Sequence, residues 1–350
     1  MIALYNLLQV LFFKLPAEFS HDLALWALKQ GGGYFIPDLS SISQKPAIKI
    51  ANLNFSNKIG LAAGLDKQAT CIPAWERMGF GFVELGTVTP KPQSGNLKPR
   101  LFRYISDKAI INRFGFNSVG IDKFCENLSK FFASHIKNKK SLWGINIGKN
   151  KDTDNELAYQ DYIICLEKAY FFADYVTVNI SSPNTKDLRS LQQADSLTVL
   201  LEKILMARES LQRKYHKYVP IFVKISPDLT DSDLKSTVNA LMQSKMDGLI
   251  TTNTTLWRPE LSIQKTLGRQ AEYFYQQTGG LSGNPLFDLS LDCLKKCADL
   301  TSGSLPIIAV GGIDSVEKAK MKLDAGASLI QIYSGLIYQG PKLVRELISI

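Results

Sequence analysis

From residue 58 onward the chain alternates short apolar runs with longer stretches of helical periodicity. Eight runs rich in Val, Ile, Leu and Phe read as strands: 58–63, 81–86, 142–147, 175–180, 220–225, 247–252, 306–311 and 328–333. Near-continuous apolarity of this kind suits parallel strands covered on both faces. Helical patterns lie between them, at 118–133, 156–171, 195–215, 231–244, 287–300 and 315–324, with a last helix at 341–349 after Pro341. This alternation predicts an α/β fold, a (β/α)8 TIM barrel. An open doubly wound sheet is the alternative, but it usually carries G-x-G-x-x-G after its first strand, and here GLDKQAT follows. Two insertions stand out: 87–117, where LFRYISDKAIINRFG reads as a β-hairpin, and 253–286, with Gly268, Gly279, Gly280 and Gly283. Long structured loops on a barrel usually carry function.

The N-terminus follows a different pattern. In MIALYNLLQVLFFKL, Leu4, Leu7, Leu8, Leu11, Phe12 and Leu15 keep the i, i+3, i+4 spacing of an amphipathic helix. A second short helix follows, with Phe19, Leu23, Trp26 and Ala27 on one side, until Gly31, Gly32 and Gly33 break it. Asn6, Gln9 and Lys14 interrupt the first run, and Pro16 ends it short of the ~20 residues of a membrane span. It lacks a basic n-region and an A-x-A cleavage site, and it has no Arg, so it reads as neither a signal nor a transit peptide. Residues 1–40 are therefore expected to form an amphipathic helical hairpin and 41–350 the barrel. Such a hairpin either packs on the barrel or dips into a bilayer surface. Because its local charge is near zero, attachment to lipid would rest on apolar area.

Composition narrows the picture. The 350 residues are 45% hydrophobic and 21% charged, ordinary for a globular protein. Lys and Arg total 41 against 32 Asp and Glu, a net charge of +9 that favours an anionic partner. No dense basic helix, aromatic RNP-type run or zinc-finger spacing supports nucleic acid. Cys71, Cys125, Cys165, Cys293 and Cys297 are odd in number and contain no CxxC, so no disulfide framework or metal site is indicated. A reducing compartment fits them best.

The candidate chemistry sits at the strand ends. After the first strand come Ala62, Ala63, Gly64, Leu65, Asp66 and Lys67, small residues and one cation. Asn146 ends the third strand, and Asn179-Ile180-Ser181-Ser182-Pro183-Asn184-Thr185 follows the fourth. A turn explains Ser-Pro-Asn, but not Asn179, where an apolar residue would pack better. Lys224 lies inside an apolar strand and needs an anion. Gly283, Gly311-Gly312 and Tyr333-Ser334-Gly335 supply the bare backbone that binds phosphate after the last strands of a barrel. Thr251 to Thr255 and Asn112-Arg113-Phe114-Gly115-Phe116-Asn117 add amides, hydroxyls and aromatic cover for a planar ligand. His21, His135 and His216 fall on helices or helix ends, so a Ser–His–Asp triad or a histidine metal site is not expected. Amides, hydroxyls and lysines suit a site where a bound cofactor carries the redox chemistry.

With these residues in view, the sequence resembles the dihydroorotate dehydrogenase family, and more narrowly its membrane-associated, quinone-using class 2 branch. The motifs are AAGLDK (62–67), ELGTVTPKPQ.GN..PR (84–100), NRFGFN (112–117), GINIGKN (144–150), NISSPNT (179–185), VKISPD (223–228), TTNTT (251–255), GGLSG.PL (279–286), VGGI (310–313) and QIYSGLIY (331–338). The resemblance implies oxidation of (S)-dihydroorotate to orotate in pyrimidine biosynthesis, one FMN per chain and a quinone acceptor. It implies FMN contacts at Ala62, Ala63, Gly64, Leu65, Asp66, Thr87, Asn146, Asn179, Lys224, Thr252, Gly283, Gly312, Tyr333 and Ser334. It implies dihydroorotate contacts at Lys67, Asn112, Arg113, Phe114, Gly115, Phe116, Asn179, Asn184, Asn253 and Thr254. Ser182 matches the class 2 base, where soluble class 1 enzymes use cysteine, and Thr185 and water shielded by Phe116 are the candidates to draw its proton away. The hairpin matches an extension through which quinone reaches the flavin, with His21 and Arg103 near it. A peripheral protein on the cytoplasmic face of the inner membrane, monomeric, follows from the same resemblance.

Other classes fit less well. An FMN-dependent 2-hydroxy-acid oxidase needs a histidine base at a strand end. A non-redox isomerase barrel would use the phosphate loops without needing Lys224 or Asn179. A membrane-binding module without activity leaves the polar constellation unexplained.

Overall fold

The computed structural model describes residues 2–31, 36, 38–40, 47–185, 187–258, 273 and 276–350. Gly32, Gly33, Gly268 and residue 41, where the barrel portion is expected to begin, lie outside the described residues, as do the side chains of Leu4 and Leu7. Two helices, α1 (Ile2–Lys14) and α2 (Ala17–Lys29), open the chain. An antiparallel hairpin follows, β1 (Ile48–Ile50) and β2 (Leu53–Phe55). The strands then run β3 (Ile59–Leu61), β4 (Phe82–Val88), β5 (Leu101–Tyr104), β6 (Ala109–Asn112), β7 (Leu142–Ile147), β8 (Tyr175–Asn179), β9 (Ile221–Ile225), β10 (Gly248–Thr251), β11 (Gly280–Gly283), β12 (Ile307–Val310) and β13 (Leu329–Ile332). Eight of them close a parallel barrel in the order β3-β4-β7-β8-β9-β10-β12-β13. These are the eight predicted strands, with ends displaced by one or two residues at most. Amphipathic helices such as Ile121–Lys137 and Phe287–Thr301 cover the outside.

The predicted β-hairpin of the first insertion is β5–β6, and β11 from the second insertion joins it in a three-stranded antiparallel sheet. The hairpin β1–β2 was not foreseen. Its turn residues Ala51 and Asn52 both take positive φ, 48° and 63°. A type I′ turn normally advertises itself by Asn-Gly or Asp-Gly, and Ala-Asn does not.

The barrel interior is built in layers. Side chains along a strand alternate between faces, so residues two apart share the lumen. The lowest layer holds Phe82, Tyr175 and Phe222, with Phe55 of β2 closing the end. Neighbouring rings meet edge-on at 5.3, 6.3 and 5.4 Å between centroids. Each barrel ring lies directly across from a glycine on the next strand: Gly60 pairs Phe82, Gly144 pairs Tyr175 and Gly248 pairs Phe222. A Cβ on Gly144 would stand 2.0 Å from the Tyr175 ring. The glycines are thus the space the rings occupy, and the rings are the base on which the functional layers rest.

The N-terminal helices dock one side against the barrel. Tyr5 donates to Ile337 O at 3.1 Å, and Gln9 Nε2 to Ile337 O at 3.0 Å and Tyr338 O at 2.8 Å. Arg103 of β5 donates to Phe12 O at 3.1 Å and Leu15 O at 2.6 Å. The opposite side carries Val10, Leu11, Phe19 and Trp26, each more than half exposed. Among the described residues, no helix is long and apolar enough to cross a membrane.

Gly144→Ala places a methyl group where the Tyr175 ring lies. Overpacking of this kind costs about 1–3 kcal/mol, so urea unfolding should show a loss of that order; an unchanged midpoint would contradict the layer described.

Candidate active site

Two residues above the aromatic layer, the lumen turns polar. Glu84 on β4 is fully buried. Its Oε1 accepts from Asn146 Nδ2 at 2.7 Å, and its Oε2 from Gln331 Nε2 at 2.7 Å and Tyr175 OH at 3.3 Å. Asn146 then turns its Oδ1 to Thr87 Oγ1 at 2.5 Å and Asn179 Nδ2 at 3.1 Å. Asn179 also donates to Thr87 Oγ1 at 3.1 Å, and its Oδ1 receives Ser181 N at 3.2 Å and Ser181 Oγ at 3.0 Å. This chain of amides forms a rigid floor, since each side chain has its donor and acceptor ends assigned by the next.

Lys224 completes the floor. It is 5% exposed and has no hydrogen-bond acceptor among the described residues. Burial pushes its ammonium below the usual range, and the Glu84 carboxylate opposes that shift. Thr252 Oγ1 and Gln331 Oε1, both on the pocket wall, are likewise buried without a partner.

One wall is glycine backbone. Gly283, Gly311 and Gly312 adopt φ of 95°, 115° and 72°. A Cβ on Gly312 would meet the Phe287 backbone and Cβ at 2.5–2.7 Å. Ser334 and Ser282 hydroxyls lie 2.8 Å apart beside them. Tyr333 donates to Gly64 O at 3.4 Å, and burial pushes its hydroxyl pKa up. Bare glycine backbone beside two hydroxyls on this wall matches the chemistry that holds a phosphorylated anion.

The opposite wall is built from loops. Ser182 is buried and lines the pocket, and its Oγ accepts from Asn184 N at 3.3 Å. The Thr185 hydroxyl is buried without a partner. Asn184 Nδ2 donates to Asn112 Oδ1 at 3.2 Å, and Asn253 Nδ2 to Ser181 Oγ at 2.9 Å. Lys67 donates to Asn117 Oδ1, and its ammonium stands 3.6 Å over the Phe114 ring. Burial and the nearby Arg100 charge lower Lys67 to about 7. His21 of α2 faces the same ring at 6.2 Å; burial and the Lys67 charge lower it to about 4.

Most of the residues singled out in the sequence line this one pocket: Ala62, Ala63, Gly64, Lys67, Thr87, Asn112, Phe114, Gly115, Phe116, Asn179, Ser182, Asn184, Lys224, Thr252, Asn253, Thr254, Gly283, Gly312, Tyr333 and Ser334. Four do not. Leu65 packs in the core outside the barrel. Asp66 spends its carboxylate on Thr70 N at 2.9 Å, Cys71 N at 2.8 Å and Trp75 Nε1 at 3.1 Å. Asn146 stands one layer below the pocket. Arg113 points to the other side of its segment, 4.6 Å over the Phe102 ring and 3.0 Å from Gln277 Oε1. Sequence reasoning passed over Glu84 and Gln331, although each is a polar residue in an apolar strand, the signal that drew attention to Lys224.

A family model for dihydroorotate dehydrogenase matches residues 46–349. A protein named dihydroorotate dehydrogenase (quinone) from Acinetobacter baylyi is 48% identical over 348 residues, covering 99% of each chain. One of the same name from Idiomarina loihiensis is 46% identical over 351 residues, again with 99% of each chain covered. The solved ligand-free DHODH of Eimeria tenella superposes with a TM-score of 0.85 at 40% identity, covering 95% of this chain and 93% of that one. Its complex with ferulenol gives 0.86 at 39% identity, covering 95% and 89%. With its barrel, its pocket and nearly its whole length matched in this way, the chain belongs to the dihydroorotate dehydrogenase family.

Proposed function

We propose that the chain oxidises (S)-dihydroorotate to orotate, the redox step of pyrimidine biosynthesis, with FMN as cofactor and a quinone as final acceptor. The observation that carries this reading is the division of one pocket into a polar floor with a glycine wall and unpartnered buried groups on one side, and a rim of amides around a buried serine on the other. The residues fit FMN. Thr252 Oγ1 and Gln331 Oε1 are buried without a partner on the pocket wall, Lys224 adds a buried cation, and Gly283, Gly311 and Gly312 present bare backbone at positive φ, where a Cβ would collide with the protein behind. Ala62, Ala63, Gly64, Thr87, Asn179, Lys224, Thr252, Gly283, Gly312, Tyr333 and Ser334 would hold it; Asn146 supports the floor from below. When bound, FMN supplies the hydride acceptor for C6 of dihydroorotate and a carrier of electrons to quinone.

The chain's own residues do the rest. Lys67 pairs the substrate carboxylate, and Asn112, Asn184, Asn253 and Thr254 bind its amide edges. Ser182 takes the proton from C5. The charge that builds on the neighbouring carbonyl is stabilised by the fixed amide donors. Serine is a weak base and must lose its own proton as it gains one. The Thr185 hydroxyl, buried without a partner in the same loop, receives that proton through water, with Phe116 of the pocket wall as the shield.

The same reading sets the hairpin of residues 1–40 against a lipid surface as the entry for quinone, with His21 and Arg103 beside the path. The exposed Val10, Leu11, Phe19 and Trp26 support it, since attachment by apolar area needs such a face. The protein then works as a peripheral monomer on the cytoplasmic face of the inner membrane.

Removing a positioned general base costs roughly 10²–10⁴ in rate. Ser182→Ala should therefore slow flavin reduction by dihydroorotate by that order in anaerobic stopped flow, while reoxidation by quinone keeps its rate. Thr185→Val should show the same asymmetry to a smaller degree; equal effects on both half-reactions would rule the relay out. Lys67, at about 7, is charged below that pH and neutral above it. Orotate affinity should fall as pH rises from 7 to 9, approaching roughly tenfold per unit, because an anion binds the protonated form. Lys67→Arg, whose charge persists, should flatten that profile in a spectral titration.

A further inference from the structure

The N-terminal helices and the substrate rim meet at one buried ion pair. Glu18 of α2 and Arg100, just before β5, have side chains only 13% and 9% exposed. Glu18 Oε1 accepts from Arg100 Nε at 3.0 Å and lies 2.9 Å from Nη2. Lys98 approaches the same oxygen at 3.1 Å, while Glu18 Oε2 is buried without a partner. The remaining arm of the guanidinium points inward. Arg100 Nη1 donates to Ser94 O at 2.6 Å and Asn96 O at 3.1 Å.

Asn96 carries the link to the site. Its backbone N–H donates to Phe114 O at 2.9 Å. Its side-chain Nδ2 donates to Arg113 O at 2.9 Å and Asn184 O at 3.4 Å. The amide lies so close over Gly115 that a Cβ there would stand 2.7 Å from it. Arg113 N donates back to Arg100 O at 2.9 Å. One guanidinium, fixed by a carboxylate from α2, therefore holds the loop that fixes both segment 112–116 and Asn184.

We propose that Glu18 and Arg100 are positioning residues through which the seating of α2 sets the affinity of the dihydroorotate side of the site. The proposal rests on the function given above. A charged, nearly dry carboxylate–guanidinium pair holds one geometry and tolerates little displacement. If α2 lifts, Arg100 loses its anchor, and the carbonyls of Ser94 and Asn96 lose theirs. The amide contacts to Arg113 and Asn184 then relax. Coupling of this kind is reciprocal. Whatever factor the docked α2 adds to substrate binding, bound substrate must add to the docking of α2.

The test uses the full-length, FMN-loaded protein and orotate as the probe. Hydrogen exchange of the α2 backbone is measured with and without orotate, and orotate affinity is read from the flavin difference spectrum. In the wild type, orotate should slow exchange in α2. In Glu18→Gln, orotate should bind about tenfold more weakly, within the usual range of such couplings, and should no longer protect α2. Glu18→Asp, which keeps the charge, should recover part of both effects. A merely structural role would lower the unfolding midpoint and leave the orotate-dependent protection in place. Asn96→Ala interrupts the link without touching α2 and carries the same test if Glu18→Gln fails to fold. The proposal is overturned if orotate leaves α2 exchange unchanged in the wild type, or if the variants bind orotate as the wild type does. A wild-type protein that holds FMN but binds no orotate overturns the functional reading itself, and this proposal with it.

Discussion

A carboxylate with no contact with water stands on the axis of the barrel, and the polar layers above it are arranged around that charge. Burying an ion costs several kcal/mol unless hydrogen bonds replace its hydration. Glu84 receives three donors, from Asn146, Gln331 and Tyr175. Each donor committed to Glu84 fixes which end of its own side chain faces upward. Asn146 therefore offers an acceptor to Thr87 and Asn179, and Gln331 offers one to the pocket. Lys224, the cation on the same floor, is the countercharge. The orientation of the floor is thus decided one layer below the chemistry it serves.

The functional division of the pocket follows from how the chain builds its two walls. Barrel strands supply the floor, because residues two apart on a strand share the lumen. Their positions are set by the aromatic layer and the three glycines that make room for it. Loops supply the rim, and loops need anchoring. Asn253 and Asn179 anchor the Ser182 segment, and Asn96 anchors the Asn112–Phe116 segment. The N-terminal helices add a third part, which closes on the rim through Phe114, His21 and the Glu18–Arg100 pair. The face of those helices turned away from the barrel remains apolar and exposed. One small extension thereby touches both the pocket rim and the outside of the protein.

The barrel was legible in the sequence because each lumen strand is mostly apolar and is followed by a clear helical period. The pocket was legible because polar residues are conspicuous at the ends of such strands. Lys224 is the best example: a charge in an apolar strand has few explanations. Glu84 carries the same signal inside its strand, but its partners Asn146, Gln331 and Tyr175 come from three other strands that no local pattern joins to it. Asn146 looks like a pocket residue by position, yet it lies a layer lower and its amide is already committed. Arg113 follows Asn112 in sequence, but neighbouring side chains in an extended segment point to opposite sides. Asp66 precedes Lys67, yet its carboxylate serves as a cap for the Thr70 and Cys71 N–H groups. The Glu18–Arg100 pair was invisible, since its partners are 82 residues apart and no local pattern joins them.

The role of the pocket is to join dihydroorotate oxidation to quinone reduction through one bound flavin. An anaerobic visible spectrum of the purified, FMN-loaded protein tests it most directly, first with dihydroorotate and then with a ubiquinone analogue. The flavin band should bleach with dihydroorotate and return with the quinone. A protein that takes up no FMN, or a flavin that dihydroorotate leaves oxidised, would contradict it.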